Sequence, residues 1–208
     1  MPSKVLIFTK RVLPRSNTFV AAQGNNIPSF EPIYIGLRNN QTGIDLIKGK
    51  KTCVQENIEP FPSVSRLLLD AFQLLTPNWK NALHKQKANL IHAHFGKGGY
   101  YCTPFSKKLD LPLITTFHGS DITQKDKLSY NKKHRQITFS HSSKIIAVSK
   151  FVENKLLLAG CPEEKIIQHY IGLDNQFFTP CSDKFPQPTI LFVGRFIEQK
   201  GCQYLTSY

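Results

Sequence analysis

Two basic residues flank a short turn near the carboxyl-terminal end of the sequence. Arg195 and Lys200 follow an apolar run that ends at Gly194. This pattern is typical of a buried strand that turns into a helix, where unpaired backbone N–H groups and the helix dipole attract phosphate. An arginine can bind two phosphate oxygens at once, and a lysine adds a point charge. On composition alone, an ordinary solvated basic turn is the commoner explanation.

A histidine follows an apolar run in the middle of the chain. His118 comes directly after Pro112–Phe117, and Asp121 lies three residues further on. Ligands of open α/β sheets bind at the carboxyl ends of the strands, so this position favours ligand contact. His118 could donate a hydrogen bond to a ligand hydroxyl, and Asp121 could orient it. The structural alternative is a histidine that is satisfied by a loop carbonyl.

Two further histidines alternate along one predicted strand. His92 and His94 should share one face of that strand. A metal site needs a third ligand, and none is suitably spaced. We therefore expect structural or cleft-lining hydrogen bonds and no bound metal.

The segment Pro14–Phe19 connects the first predicted strand to the element that follows. Ser16 and Asn17 are good helix N-caps, which alone could explain their presence. Their side chains, with that of Thr18, could also contact a ligand. Both interpretations stay open.

Short apolar runs alternate with helical stretches along most of the chain. The pattern predicts a doubly wound, parallel, Rossmann-like α/β sheet with helices on both faces. The predicted strands are Lys4–Thr9, Pro32–Leu37, Asn89–Ala93, Pro112–Phe117, Lys144–Val148 and Ile166–Tyr170.

Two stretches between these strands have helical patterns. Ser149–Gly160 begins with a serine N-cap and ends at a glycine. Ser63–Leu75 has apolar residues at helical spacing, and Pro77 should interrupt or kink it. Four of these apolar residues should share one face of the helix: Leu67, Leu68, Phe72 and Leu75.

The composition changes after the predicted sheet. Residues 173–188 contain three prolines and little periodicity, which predicts a linker between a domain over 1–172 and the start of a second domain over 189–208. The second domain should begin with a strand over Thr189–Gly194 and one helix. So short a unit cannot bury a core of its own.

The chain is strongly basic, with 27 Lys and Arg against 14 Asp and Glu and a net charge of +13. Such a surface attracts acidic lipid, nucleic acid or phosphorylated ligands. No aromatic-interleaved basic stripe or nucleic-acid motif is present, so we expect no nucleic-acid partner. The run Asn131–Arg135 predicts a solvated basic helix face, or alternatively a contact with acidic lipid. Five scattered cysteines without a CxxC pair fit a reducing cytoplasm.

The segment Gly194–Gly201 (GRFIEQKG) resembles the G-R-x-x-x-x-K-G signature of family-four glycosyltransferases. These enzymes have the glycosyltransferase-B fold of two Rossmann-like domains. Pro14–Phe19 is similar to the S-x-T-F form found in the exopolysaccharide and colanic-acid branch, although it lacks the glycine pair of the wider family. Further segments similar to family landmarks follow in the expected order: Leu90–Gly96, Thr115–Asp121, Ile146–Phe151, Leu158–Ile166 and His169–Phe177.

The resemblance implies retaining transfer of a hexose from a nucleoside-diphosphate sugar to a lipid-linked saccharide or polysaccharide. It implies no metal or other cofactor, because fixed cations stabilise the leaving diphosphate. By resemblance, Gly194, Arg195 and Lys200 bind that diphosphate and His118 is the catalytic residue facing the transferred sugar. The residues implied in sugar or acceptor contacts are Asp121, Gly119, Ser16, Asn17 and Thr18.

The family's second domain extends well beyond residue 208. We therefore expect this chain alone to be inactive or nearly so, as a truncated product or as half of a split enzyme that another chain completes. We expect it in the cytoplasm, either free or peripheral on the inner face of the membrane. The alternative is a non-catalytic, basic α/β module that binds an anionic glycan, lipid or nucleic acid.

Overall fold

The computed structural model describes residues 2–124, 130–173, 187–194 and 196–205. Contacts within the chain define two units, Met1–Gly172 and Leu173–Tyr208. The first unit holds the sheet, and the second is described separately below. The predicted linker limits of 173–188 remain a prediction.

A seven-stranded sheet forms the centre of the first unit, in the order β5-β3-β1-β6-β7-β8-β9. Every neighbouring pair is parallel. The chain builds outward from β1 in one direction and from β6 in the other, so the strand order reverses between these two strands. The strands are β1 (Ser3–Phe8), β3 (Phe30–Gly36), β5 (Lys51–Val54), β6 (Leu90–His94), β7 (Leu113–Phe117), β8 (Lys144–Ala147) and β9 (Ile166–Gln168), with a separate short pair β2 (Arg11–Val12) and β4 (Arg38–Asn39).

Helices cover both faces of the sheet, because successive side chains of a strand point to opposite sides. On β1, Leu6 and Phe8 pack into one apolar cluster with Trp79 and Phe105. Val5 and Ile7, which alternate with them, pack into a second apolar cluster. The helices are α1 (Thr18–Asn25), α2 (Pro62–Phe72), α3 (Pro77–His84), α4 (Gly96–Leu109), α5 (Ser120–Thr123), α6 (Lys132–His141) and α7 (Lys150–Leu158).

All six predicted strands of the first unit are present, with ends that differ by a few residues. The prediction missed β5, an edge strand whose first two residues are exposed. Its sequence, Lys-Thr-Cys-Val, is too short and too polar to show a strand pattern. The doubly wound parallel sheet is confirmed.

The predicted helix Ser149–Gly160 is confirmed as α7. The Ser149 side chain accepts a hydrogen bond from the Val152 N–H at 3.2 Å, which caps the first turn. Gly160 follows the helix with a φ of +82°, a conformation that side chains rarely adopt.

The apolar face predicted for Ser63–Leu75 is only partly buried in the structure. In α2 the buried residues are Ser65 and Leu69, whereas Leu67 and Phe72 are 63% and 65% exposed. Polar contacts orient the helix, since the Gln55 amide donates to Ser65 Oγ at 2.7 Å. The helix ends at Phe72, and Pro77 opens α3 at its first turn, where a missing N–H costs nothing.

The second unit does not contain the predicted strand. Residues 189–194 have no regular structure, and Ile190 and Val193 are 87% and 84% exposed. Two short 3-10 turns, Glu198–Lys200 and Cys202–Tyr204, stand in place of the predicted helix. A strand needs hydrogen-bonded neighbours, and the described residues of this unit provide none.

Among the helices that the structure describes, none combines the length and the apolar character that a membrane span requires.

Candidate active site

The site lies at the carboxyl ends of two central, adjacent strands, close to where the strand order reverses. In an open parallel sheet this reversal leaves a crevice at the carboxyl edge, which is the usual ligand position. His94 is the last residue of β6, and His118 is the first residue after β7. The register pairs His94 with Thr116 on the neighbouring strand, which brings the two loops together.

Two of the histidines form a hydrogen bond from ring to ring. His94 Nδ1 and His118 Nε2 are 3.1 Å apart. His92 points to the same face as His94, as the strand alternation predicts, and its Nε2 lies 2.7 Å from Thr116 Oγ1. The structure thus shows the hydrogen bonds that were predicted for the two histidines of β6.

Asp121 clamps the two loops to each other. Its Oδ2 accepts a hydrogen bond from the Gly96 N–H at 2.8 Å, and its Oδ1 accepts one from the His118 N–H at 3.0 Å. Burial raises the pKa of this carboxyl to about 6, while the backbone N–H groups oppose that rise. Asp121 thus orients the backbone of His118 and contacts none of the histidine rings directly in the hydrogen bonds described.

Two glycines make the clamp possible. A Cβ on Gly96 would collide with the Phe117 ring, so only glycine fits at the start of α4. Gly119 has a φ of +104°, a backbone conformation that favours glycine. An added Cβ would meet no atom closer than 3.9 Å, so the conformation and not the space selects glycine here. Gly119 therefore acts on the loop conformation, and the predicted ligand contact of this residue remains untested.

Two phenylalanine rings cover His118. The centroids of Phe19 and Phe95 lie 4.7 Å and 4.6 Å from that of the imidazole. Sequence reasoning missed both as site residues, although each lies in a motif that it singled out. Phe19 brings the start of α1 to the site, because this helix begins at Thr18.

Burial keeps the three histidines neutral near pH 7. Loss of solvation lowers the pKa of His92 and of His118 to about 4, with a smaller contribution to His118 from His92. The pKa of His94 falls well below 6.5 for the same reason. A neutral imidazole has one hydrogen-bond donor and one acceptor, so these rings add polar groups to the site without adding charge.

The loop before α1 differs in part from its N-cap interpretation. Asn17 occupies the N-cap position of α1, but within the described chain its side chain makes no capping hydrogen bond. Ser16 lies in a 3-10 turn over Arg15–Asn17 and is exposed, as is Thr18. Ligand contacts by these three side chains stay a prediction.

The segment that is predicted to bind phosphate, Gly194–Lys200, lies in the second unit. A Cβ on Gly194 would lie 3.7 Å from Lys200 Cγ, so the turn brings this lysine back to the end of the apolar run. Lys200 is exposed and ends a 3-10 turn. Arg195 falls outside the described residues, and its approach to His118 stays a prediction.

No group of three His, Cys, Asp or Glu residues in the described part of the chain could hold a metal ion. The cysteines at 53, 102 and 161 are buried and free.

Comparison with known proteins decides the family. The profile of Glycosyltransferase Family 4 matches residues 39–177. The chain belongs to this family. The amylovoran biosynthesis glycosyltransferase AmsK of Erwinia amylovora is 32% identical over 118 residues, which cover 55% of this chain and 29% of AmsK. The putative colanic acid biosynthesis glycosyltransferase WcaL of Escherichia coli is 30% identical over 165 residues, which cover 74% of this chain and 38% of WcaL.

Solved structures of the same fold class confirm the architecture of this family-four chain. Anabaena Alr3699/HepE in complex with UDP and glucose aligns with a TM-score of 0.59 at 12% identity, covering 86% of this chain and 47% of HepE. The lipopolysaccharide outer core galactosyltransferase WaaB aligns with a TM-score of 0.51 at 13% identity, covering 79% and 44%. The chain thus spans less than two thirds of its relatives and of these structures.

Proposed function

We propose that this chain is the acceptor-side part of a retaining glycosyltransferase, which transfers a hexose from a nucleoside-diphosphate sugar to a lipid-linked saccharide or polysaccharide. One observation carries the proposal. A hydrogen-bonded pair of neutral imidazoles, His94 and His118, lies at the carboxyl edge of the sheet, and Asp121 binds the backbone N–H of His118. Neutral hydrogen-bonding groups at such a crevice suit the hydroxyls of a sugar.

A sugar nucleotide is the proposed donor. HepE, which shares the fold, has been solved with UDP-glucose. In our proposal Arg195, Lys200 and Gly194 bind the donor diphosphate, because cleavage of the sugar–phosphate bond places negative charge on the leaving group and fixed cations stabilise it. The sugar would contact His118, with Gly119 shaping the loop, and the acceptor would approach Ser16, Asn17 and Thr18.

In this proposal the complete reaction centre also needs residues of the donor domain that these 208 residues do not include. The chain covers 29% of AmsK and 38% of WcaL. Further residues or a second chain would supply the rest of the donor domain. We expect no measurable sugar transfer from the purified chain with a panel of UDP- and GDP-sugars, and robust turnover would contradict this part of the proposal.

The sugar contact can be tested in a complete enzyme. Residues 1–172 would replace the matching region of WcaL, and transfer would be measured with His118→Ala and with the matched control His84→Ala. His84 lies at the exposed end of α3, away from the histidine pair. We expect a loss of at least about tenfold in transfer for His118→Ala and none for His84→Ala, since one hydrogen bond in the transition state is worth roughly 1.4 kcal/mol or more. Equal activities would contradict a sugar contact by His118.

We also propose peripheral attachment to an acidic membrane on the cytoplasmic side. The basic run at the start of α6 is a helix, as predicted, and a groove of about 480 Å³ is lined by Lys132, Arg135 and the 82% exposed Leu158. Cations beside an apolar side chain suit the interface of acidic lipids. The chain should sediment with vesicles that contain phosphatidylserine and not with neutral ones.

The alternative, a non-catalytic basic module, draws support from the net charge of +13. The genomic DNA around codon 208 separates the two. An in-frame continuation or a frameshift there favours the transferase, and a stop codon with a stable product favours the module.

A further inference from the structure

Helix α2 turns an apolar face to solvent. Four large side chains form this face around the half-buried Leu68, and we call them the α2 face: Phe61, Val64, Leu67 and Phe72. Steps of three or four residues along the chain join them through Leu68, so they lie side by side over adjacent turns. Phe61 and Val64 are 73% and 55% exposed, and the other two are exposed to a similar extent. A contiguous exposed apolar face marks an interaction site, whereas scattered apolar residues do not.

Contacts on the inner side of α2 fix this orientation. The Gln55 amide donates to Ser65 Oγ at 2.7 Å, and the Tyr101 hydroxyl donates to Asp70 Oδ1 at 2.8 Å. A rotation of the helix that buried Leu67 would break both hydrogen bonds. The fold therefore holds the α2 face outward.

The charges in this part of the chain are almost all positive. Residues 61–88 contain four Lys and Arg residues and a single carboxylate. That carboxylate belongs to Asp70 and lies 3.6 Å from the Lys97 ammonium group, which neutralises it. An apolar face on a cationic segment complements an anionic lipid surface, because the headgroups attract the cations and the layer beneath them accepts apolar side chains.

The basic start of α6 lies on the same face of the sheet as α2. Tyr100 of α4 contacts both helices, since its hydroxyl donates to the Asp70 carbonyl at 3.2 Å and its ring centroid lies 4.5 Å from that of His134. Leu69 of α2 belongs to the apolar cluster against which Ile137 of α6 packs. One surface can therefore meet the α2 face and the exposed lysines at the start of α6 together.

We propose that the α2 face enters the interface of an acidic membrane while the cations of α6 bind the lipid headgroups. The inference rests on the peripheral attachment proposed above, and it adds which residues enter the lipid. Stable attachment of a peripheral protein takes two such signals, because one alone gives only marginal binding. The 11 residues of α2 are too few to cross a bilayer, so the helix lies in the plane of the interface.

This placement brings the membrane close to the candidate active site. Lys97, which pairs with Asp70 of α2, directly follows Gly96. The Gly96 N–H is in turn bound by Asp121. A bilayer at the α2 face thus holds a lipid-linked saccharide near the loops that carry His94 and His118.

Vesicle sedimentation measures the contribution of the α2 face. The double variant Leu67→Gln with Phe72→Gln removes two exposed side chains, and circular dichroism checks that the fold is kept. We expect partition of the 208-residue chain onto vesicles of phosphatidylserine and phosphatidylcholine to fall at least about tenfold. Half of the transfer free energy of two such side chains already amounts to about that factor.

The matched control changes two exposed apolar residues elsewhere, Ile44→Gln with Ile167→Gln. Ile44 lies in the 3-10 segment Gln41–Ile47, which packs with α1 on the other face of the sheet, and Ile167 lies in the edge strand β9. This control should retain the partition of the unaltered chain. Equal partition of the unaltered chain and the α2 double variant, or an equal loss in both double variants, would overturn the proposal.

Tryptophan fluorescence tests insertion directly. Trp79 is the only tryptophan of the chain and is fully buried, so it gives the same background in every variant. On addition of phosphatidylserine vesicles, the emission of Phe72→Trp should move to shorter wavelength and be quenched by brominated lipid. Ile44→Trp should show neither change. The same response from both variants, or none from Phe72→Trp on sedimenting vesicles, would contradict insertion of α2.

A second copy of the chain is the other possible occupant of the α2 face. Sedimentation equilibrium without lipid should show a monomer. A dimer that Leu67→Gln with Phe72→Gln dissociates would overturn the membrane proposal in favour of self-association.

The inference and the proposed function can fail separately. A chain that sediments equally well with and without the α2 face keeps the peripheral attachment and excludes this helix from it. An unaltered chain that binds no vesicles overturns both, whereas the proposed sugar contact of His118 is tested independently by transfer in the WcaL chimera.

Discussion

The two units contain similar apolar runs, of which one forms a buried strand and the other forms none. In the first unit, Leu90–His94 is the buried central strand β6, and Ile91 is fully buried. In the second unit, residues 189–194 are at least as apolar, yet they form no strand and Ile190 is 87% exposed. The difference is that β6 has partners on both sides, β1 and β7, whereas the described residues of the second unit offer none. An apolar run thus specifies a strand only where neighbouring chain completes its hydrogen bonds.

Truncation of an apolar side chain should affect the stability of the two units most differently. Ile91→Ala leaves a cavity in the core and should lower the free energy of unfolding by about 2–5 kcal/mol. Ile190→Ala should change it by less than about 0.5 kcal/mol, because its side chain is already in water. Urea unfolding followed by circular dichroism measures both. Equal effects would show that residues 189–194 pack as a strand in solution.

Acid should destabilise the first unit through its histidines. The pKa of His92 is about 4 when folded and near 6.5 when unfolded, so the stability due to its neutral form is complete above pH 6.5 and is lost as pH falls toward 4 and below. The loss from this one ring is about 3 kcal/mol at pH 4. Asp121 acts in the opposite direction, since its raised pKa relieves a buried charge as pH falls below about 6.

The contribution of His92 can be isolated by substitution. His92→Gln keeps a polar group near Thr116 and cannot gain a proton. Stability measured from pH 7 to pH 4 should fall less steeply in His92→Gln than in the unaltered chain. The same slope in both would mean that folding does not lower the pKa of His92. Ile190→Ala in the second unit should leave the slope unchanged.

Glycine substitutions should show the smallest difference in stability between the two units. Gly96→Ala forces a methyl group against Phe117 and should cost about 1–3 kcal/mol. Gly194→Ala meets Phe192 only at 3.3 Å in an exposed turn, and a small adjustment relieves this contact, so we expect a change below about 0.5 kcal/mol. Thermal unfolding of both variants measures the difference. A larger effect at Gly194 would indicate tight packing of the turn.

Several features of the site follow from local sequence. The strand alternation placed His92 and His94 on one face, and the apolar runs placed His94 and His118 at strand ends. The serine before α7 and the glycine after it marked a helix correctly, because capping is decided within a few residues. The family motifs led to the correct fold class, and three of them, Leu90–Gly96, Thr115–Asp121 and Ile146–Phe151, span the end of a strand and the start of the next helix.

Other features depend on contacts that are distant in sequence. Leu67 and Phe72 form an apolar pattern on α2, yet Leu69 is buried, because the polar neighbours of Ser65 and Asp70 orient the helix. The contact between the rings of Phe19 and His118 joins residues about a hundred positions apart in the sequence. No local pattern can encode such a contact.

The sequence by itself determined the alternation of strands and helices, the ends of α7 and the positions of the histidines, because period, capping and breaker residues act over one or two turns. Only the tertiary structure decided that His94 and His118 are hydrogen-bonded, that Asp121 joins their loops and that residues 189–194 stay out of a sheet. These outcomes depend on strand register and on burial, which arise only when distant segments meet.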